Sequence, residues 1–236
     1  MVYGVDQAKM SCDRLFNLLC LYGNVDRVKF MKTKPDTAMA QLGTPQQVQQ
    51  AINFLHGCSL FGNQLALRPS KQQSLHDIRE PFDMPDGSTS FKDYTGHRNQ
   101  RFLTPESAGR NRVVKPCPTL HWYNAPPDIT KEKLMELLSK DPQGLTRSPV
   151  AVTVFTSRKE VVKSTSGVAE YASPEEATDA LVIHNHTPIE SSESKFPFIL
   201  KLAFAGGKGG VEGGTAGGGG SIQGAKDSPS QMAGYY

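Results

Sequence analysis

The chain has 236 residues, with 26 lysines and arginines against 23 aspartates and glutamates, a formal net charge of +3, and 37% apolar residues. That length allows one large domain or two small ones, and no apolar run approaches the ~18 residues of a membrane-spanning helix. The near balance of charge excludes binding to nucleic acid by phosphate neutralisation alone, and four cysteines without a C-x-x-C pair (Cys12, Cys20, Cys58, Cys117) argue against a disulfide framework or a zinc ribbon and for a soluble protein of a reducing compartment.

Residues 1–71 carry a net +4. Met1-Val2-Tyr3-Gly4-Val5 is a short apolar run with no basic stretch before it, so it predicts a strand and no secretory leader. A helix follows, with Ser11 as N-cap, Leu15, Phe16, Leu18, Leu19 and Tyr22 on one face, and Gly23 as its stop. Residues 25–31 alternate as a strand, Pro35-Asp36 marks a turn, and 38–42 read as the next strand. Thr44-Pro45 is an N-cap with proline at the first helical position, Val48, Ala51, Ile52 and Leu55 form the apolar stripe, and Gly57 ends the helix. Residues 64–71 close the unit as a last strand.

Residues 72–118 form an interdomain linker of net charge +1. It is long for an unstructured connection, and it holds Phe82, Phe91, Tyr94 and Phe102, which a flexible spacer does not need. The second unit, 119–204, is net −2. It repeats the order: a strand at 120–125, a helix capped by Thr130 with Ile129 placed to staple on Leu134, strands at 150–155 and 167–171, and a helix opened by Ser173-Pro174-Glu175-Glu176, read as a full capping box. A strand over 198–204 ends it, with Leu200, Leu202 and Phe204 on one side and Ile199, Lys201 and Ala203 on the other. The last 32 residues, 205–236, hold 12 of the 22 glycines and no arginine, so they read as a disordered tail without Arg-Gly-Gly repeats.

Thr44-Pro45 precedes Ala51-Ile52 by the spacing that separates Ser173-Pro174 from Ala180-Leu181, which marks a duplicated domain. The fold class is α+β: two β-α-β-β-α-β, ferredoxin-like units, each a four-stranded antiparallel sheet with two helices on one face. Alternation then names the open face. In the first unit it holds Met1, Tyr3, Lys29, Met31, Thr37, Met39, Ala66 and Arg68. In the second it holds His121, Tyr123, Thr153, Phe155, Ser166, Val168, Ile199 and Lys201. Aromatic, thioether and basic groups together suit single-stranded nucleic acid, where bases stack and cations meet phosphates. Trp122 alternates away from His121 and Tyr123 and is assigned to the core.

The phrases Met1-Val2-Tyr3-Gly4-Val5-Asp6-Gln7, Cys20-Leu21-Tyr22-Gly23-Asn24-Val25, Val28-Lys29-Phe30-Met31-Lys32, Leu120-His121-Trp122-Tyr123-Asn124-Ala125-Pro126 and Leu200-Lys201-Leu202-Ala203-Phe204 carry a resemblance to tandem RNA recognition motifs. More narrowly, they resemble the last two such domains of the heterogeneous nuclear ribonucleoprotein L family, related to the polypyrimidine-tract-binding protein. Lys92-Asp93-Tyr94 and Arg98-Asn99-Gln100-Arg101-Phe102 in the linker join the match. The usual third-strand octamer is altered: Thr37 and Met39 stand where its aromatics belong, as do Ser166 and Val168 in the second unit. The resemblance implies single-stranded pre-mRNA or mRNA as partner, CA-rich or containing pyrimidines, in regulation of splicing, in the nucleus and also the cytoplasm. It also implies domains packed through their helical faces by the linker, with other splicing or ribonucleoprotein components as partners. Ser70 and Lys71, just past the fourth strand, are expected to assist binding. Because Met1 falls inside the first strand, that strand is expected to be short, in a piece of a longer protein with further domains upstream.

Other constellations weigh less. His184-x-His186 lacks a third metal ligand and reads as surface or core-edge histidines. Glu175 reads as solvated, Cys12 and Cys20 as core or surface thiols. The 206–210 glycines follow a strand but precede no helix, so they are no phosphate loop. Neither a nucleophile nor an acid–base pair stands at a fixed place, so no enzyme, cofactor, metal, membrane or small-molecule substrate is expected. The rival reading is a protein-interaction module with weak or no RNA binding, suggested by the missing octamer aromatics and the acidic second unit.

Overall fold

The computed structural model describes residues 1–141, 143–156, 163–192 and 194–206. Its elements in the first unit are β1 (Val2–Tyr3), α1 (Cys12–Leu19), β2 (Val25–Phe30), β3 (Thr37–Leu42), α2 (Pro45–Leu55), β4 (Ser59–Leu60), β5 (Asn63–Gln64) and β6 (Ala66–Leu67). The linker contributes β7 (Phe91–Asp93) and α3 (Pro105–Arg110). The second unit comprises β8 (Thr119–Ala125), α4 (Lys131–Ser139), β9 (Ala151–Val154), β10 (Thr165–Glu170), α5 (Pro174–His184), β11 (Pro188–Ile189), β12 (Phe198–Ile199) and β13 (Lys201–Phe204). From residue 207 on, the glycine-rich tail lies outside the described residues. No described helix is long and apolar enough to cross a membrane.

The helix starts follow the capping chemistry. Ser11, Thr44, Thr130 and Ser173 sit in extended backbone, and each side-chain oxygen accepts the N–H three residues on, from Arg14, Gln47, Lys133 and Glu176. Two details depart from expectation. The Glu176 carboxylate reaches back to the N–H of Ala172 instead of that of Ser173, so the box does not close. A closed capping box forms instead at Thr104 and Ser107, opening the unforeseen helix α3.

Two expected strands break. The stretch 64–71 divides because Gln64 pairs with Ser59 in a tight β4–β5 hairpin, closed by Phe61 and Gly62 in left-handed backbone (φ +49° and +83°), whereas Ala66 and Leu67 pair with β1. Likewise β12 pairs with β11, and only after Leu200, whose N–H bonds the Thr187 carbonyl, does β13 join the main sheet. Helix α1 ends at Leu19, short of Gly23. That glycine serves close approach, since a Cβ there would meet the Gln47 side chain at 2.6 Å.

The second sheet has the expected four strands, in the order β13-β8-β10-β9. The first has five, β6-β1-β3-β2-β7, because the linker adds β7 antiparallel to β2. The two cores solve one volume problem differently. Trp122 is fully buried opposite Gly167 on β10, where a Cβ would stand 1.9 Å from the Thr153 carbonyl oxygen and 2.4 Å from the indole. At the equivalent register of the first sheet, the smaller Val2 faces Ala38.

Helix α1 packs against α5, so the two units meet through helices. Asn17 donates to the Val182 carbonyl (2.9 Å) and Asn185 donates to the Asn17 carbonyl (2.9 Å). Because its amide nitrogen is so fixed, the Asn17 side-chain oxygen, 2.8 Å from His186 Nδ1, accepts from that nitrogen. At the β4–β5 turn, Asp179 takes the Phe61 N–H at 2.8 Å and Glu175 takes that of Gly62 at 3.0 Å. Glu175 is therefore an interdomain acceptor and not merely a solvated acid. His184 is enclosed, not superficial, and burial lowers its pKa to about 4. The linker is tied to both units: Tyr94 stacks on Phe16 with centroids 4.4 Å apart and Gln100 binds the N–H and carbonyl of Val25 in the first, while Arg101 donates to the Asn185 side chain and the Leu202 carbonyl in the second.

Candidate nucleic-acid interface

Helices cover one side of each sheet, and the register fixes which side chains stand on the other. On the first sheet three cross-strand ladders form: Ala66–Tyr3–Thr37, then Met39–Lys29–Phe91, then Gln41–Arg27–Asp93. Tyr3, Lys29 and Met39 are half-buried there, as expected. Thr37 departs from expectation: it stands on the open side but is only 1% exposed, and its hydroxyl donates to the Asp36 carboxylate. Met31 lies just past β2, half-buried, with its carbonyl held by Gln7. Arg68, Ser70 and Lys71 follow β6 and are exposed.

Sequence reading missed what the linker does to this face. Phe91 extends the middle ladder beyond Lys29. Arg27 pairs with Asp93 at 2.9 Å, which holds the Asp93 carboxyl below its usual range together with the Thr95 N–H, the larger cause. Leu75 is buried over this end of the sheet, its N–H given to Gln41 and its carbonyl to Arg27. Beside it lies a groove of about 640 Å³ lined by Met39, Gln41 and Ser70 among others.

The second open face is more aromatic. Register puts Lys201, Tyr123 and Ser166 in one ladder, and Ala203, His121, Val168 and Thr153 in the next. The Tyr123 and His121 rings stack at 5.3 Å and 18°, and His121 and Phe155 at 6.3 Å and 25°. Three rings thus form one row, ending in Phe155, which is 47% exposed. Alternation along β8 explains the first two. Phe155 joins because its N–H bonds the Ser166 carbonyl beyond the end of β9.

This face is cationic although its unit is net acidic. Arg101 of the linker lies 5.8 Å from the Tyr123 ring centroid. Its guanidinium donates to the Asn185 side chain and the Leu202 carbonyl, so interdomain packing fixes it in place. Burial, aided by the Arg101 charge, lowers the pKa of both His121 and Lys201. His121 is accordingly neutral at pH 7, a π-surface that carries no ionic cost of burial. Among the described residues no group of three or more His, Cys, Asp or Glu is placed to hold a metal ion.

The match to known proteins agrees with this geometry. Residues 1–97 match the model of the RNA recognition motif, and residues 110–209 match a second model described as an RRM domain. Over 205 residues, 87% of this chain, the sequence is 42% identical to human heterogeneous nuclear ribonucleoprotein L and 41% identical to the mouse protein. A polypyrimidine tract-binding protein homolog of Arabidopsis thaliana is 28% identical over 193 residues, 82% of this chain and 39% of its own length. The chain spans 34% of the length of the human relative. Two open antiparallel sheets, backed by helices and repeated in tandem, thus have the family's own sequence signature, and the chain belongs to the RNA recognition motif family, as two domains related to those of heterogeneous nuclear ribonucleoprotein L.

Proposed function

We propose that this chain binds single-stranded RNA within nuclear pre-mRNA processing, and that it prefers CA-rich sequence over pyrimidine tracts. The observation that carries this reading is the row Tyr123–His121–Phe155, three rings on an open sheet face beside Arg101 and Lys201. Bases stack on the rings, and Thr153 and neighbouring backbone read their edges. On the first sheet Tyr3, Met31 and Met39 take bases, Phe91 widens the platform, and Lys29, Arg68, Ser70 and Lys71 meet phosphates. Thr37, being buried, is left out of the contact set. The helices of the two domains face each other, so the sheets look outward and one RNA must pass around the join to reach both. The role is binding, without turnover, cofactor or small-molecule substrate.

The rival reading, a protein-interaction module, loses its most natural surface because α1 and α5 already cover one another. Fluorescence anisotropy with a labelled ~16-nucleotide CA repeat, a scrambled RNA, oligo-U and the matching DNA, at two salt concentrations, tests the proposal. The expected result is tightest binding to the CA repeat, weakening with salt. Equal, weak binding to all four would sink it.

A further inference from the structure

The linker segment 101–112 runs beside β8 and β13 and leaves a groove of about 590 Å³, within the usual size of a ligand site. Its lining includes Arg101, Arg110, Arg112 and Lys201, together with His121 and Tyr123, and no carboxylate. We propose that this groove is a phosphodiester site, in which Arg110 and Arg112 hold the RNA backbone where it leaves the aromatic row. The inference rests on the RNA-binding reading above and adds the linker to the second domain's site.

Three observations carry it. First, Arg101 is 4% exposed, its Nε has no hydrogen-bond partner among the described residues, and no described carboxylate pairs with it. A buried guanidinium without a counter-charge is costly, and an anion in the groove above it offsets that cost. Second, Arg110 and Arg112 are exposed or nearly so and make no ion pair among the described residues, so neither is engaged in holding the fold. Third, the groove shares His121 and Tyr123 with the stacking row, so a strand seated on those rings runs its sugar–phosphate chain into the cationic lining. Burial is the main cause that lowers the pKa of His121 and Lys201, and the Arg101 charge adds to it in both.

The full chain is titrated with the CA-repeat RNA across a salt series, as wild type, as Arg110→Ala/Arg112→Ala, and as Lys131→Ala/Lys133→Ala, which removes the same charge from the exposed side of α4. The groove variant is expected to bind about tenfold more weakly and to lower the slope of log K against log salt by about 1.4, two contacts of about 0.7 each on a single strand. The α4 variant should match wild type. Equal effects of the two variants would overturn the proposal, since only net charge would then matter. If wild type binds none of the RNAs, the RNA-binding reading itself fails, and the groove is judged by NMR with inorganic tripolyphosphate. Saturable amide shifts confined to Arg110, Asn111, Arg112 and Tyr123 uphold an anion site, and their absence refutes it.

Discussion

The two open sheet faces share a topology and differ in almost everything exposed on it. The first is broad, five strands wide, and mixes one tyrosine, thioethers and basic groups, with part of it engaged by the linker through Leu75, Arg27 and Gln41. The second is four strands wide and carries an aromatic row flanked by cations. Regional charge points the opposite way, since residues 1–71 are net +4 and residues 119–204 are net −2. Electrostatics at a site depends on which few side chains converge there, and Arg101, Arg110 and Arg112 reach the second face from the linker.

The sharpest way to break this comparison is at the paired core positions Gly167 and Ala38. Gly167→Ala drives a methyl into the Thr153 carbonyl and the Trp122 ring, and should destabilise by about 3 kcal/mol in chemical denaturation. Ala38→Gly, at the register where the first sheet has only Val2, should cost about 1 kcal/mol. If the two substitutions proved equal, the Trp–Gly exchange would not be what sets the second sheet apart.

Next in size is RNA affinity. His121→Ala/Tyr123→Ala should lose about 2–3 kcal/mol of binding, one stacked base or more, whereas Tyr3→Ala/Met39→Ala should lose about 1 kcal/mol because it removes a single ring. Anisotropy titration ranks them, and the reverse order would place the dominant site on the first sheet.

A smaller effect concerns the join between the domains. Burial raises the Asp179 pKa to about 6, from an ordinary 3.8, while the Phe61 N–H pulls it down. The folded state therefore holds this proton more tightly than the unfolded state does. Stability relative to Asp179→Asn should fall as pH rises from about 4 to about 6 and stay level above, by about 1 kcal/mol after allowing for solvent screening. Urea unfolding of both proteins across that range checks it, and a flat difference would mean that the carboxylate is not enclosed at the join. Smallest of all, Lys29→Ala should lower the salt slope by about 0.7 with only a few-fold loss of affinity.

Much of this was legible locally. Four helix starts came from Ser or Thr followed three residues on by a free N–H, because a cap is satisfied within one turn of chain. The open-face residues His121, Tyr123, Thr153 and Lys201 followed from period-two alternation, which needs no knowledge of partners. Alternation puts Thr37 on the open side, but it gives a side and not what covers it, and the side chain is buried. Splitting 64–71 required the left-handed pair Phe61–Gly62, and a bulky residue in that conformation announces itself only when Asp179 of the other domain is there to take its N–H.

The sequence by itself determined two α+β units, their helix caps and the composition of each open face, because propensity, capping and alternation act over a few residues. Only the tertiary structure decided that Phe91 widens the first sheet, that Arg101 stands over Tyr123, and that Asn185 joins both domains through Arg101, Leu202, Asn17 and Cys20. These contacts span up to 168 positions of chain. They form because a buried polar group must find its partner wherever packing has brought one, and no local pattern records where that is.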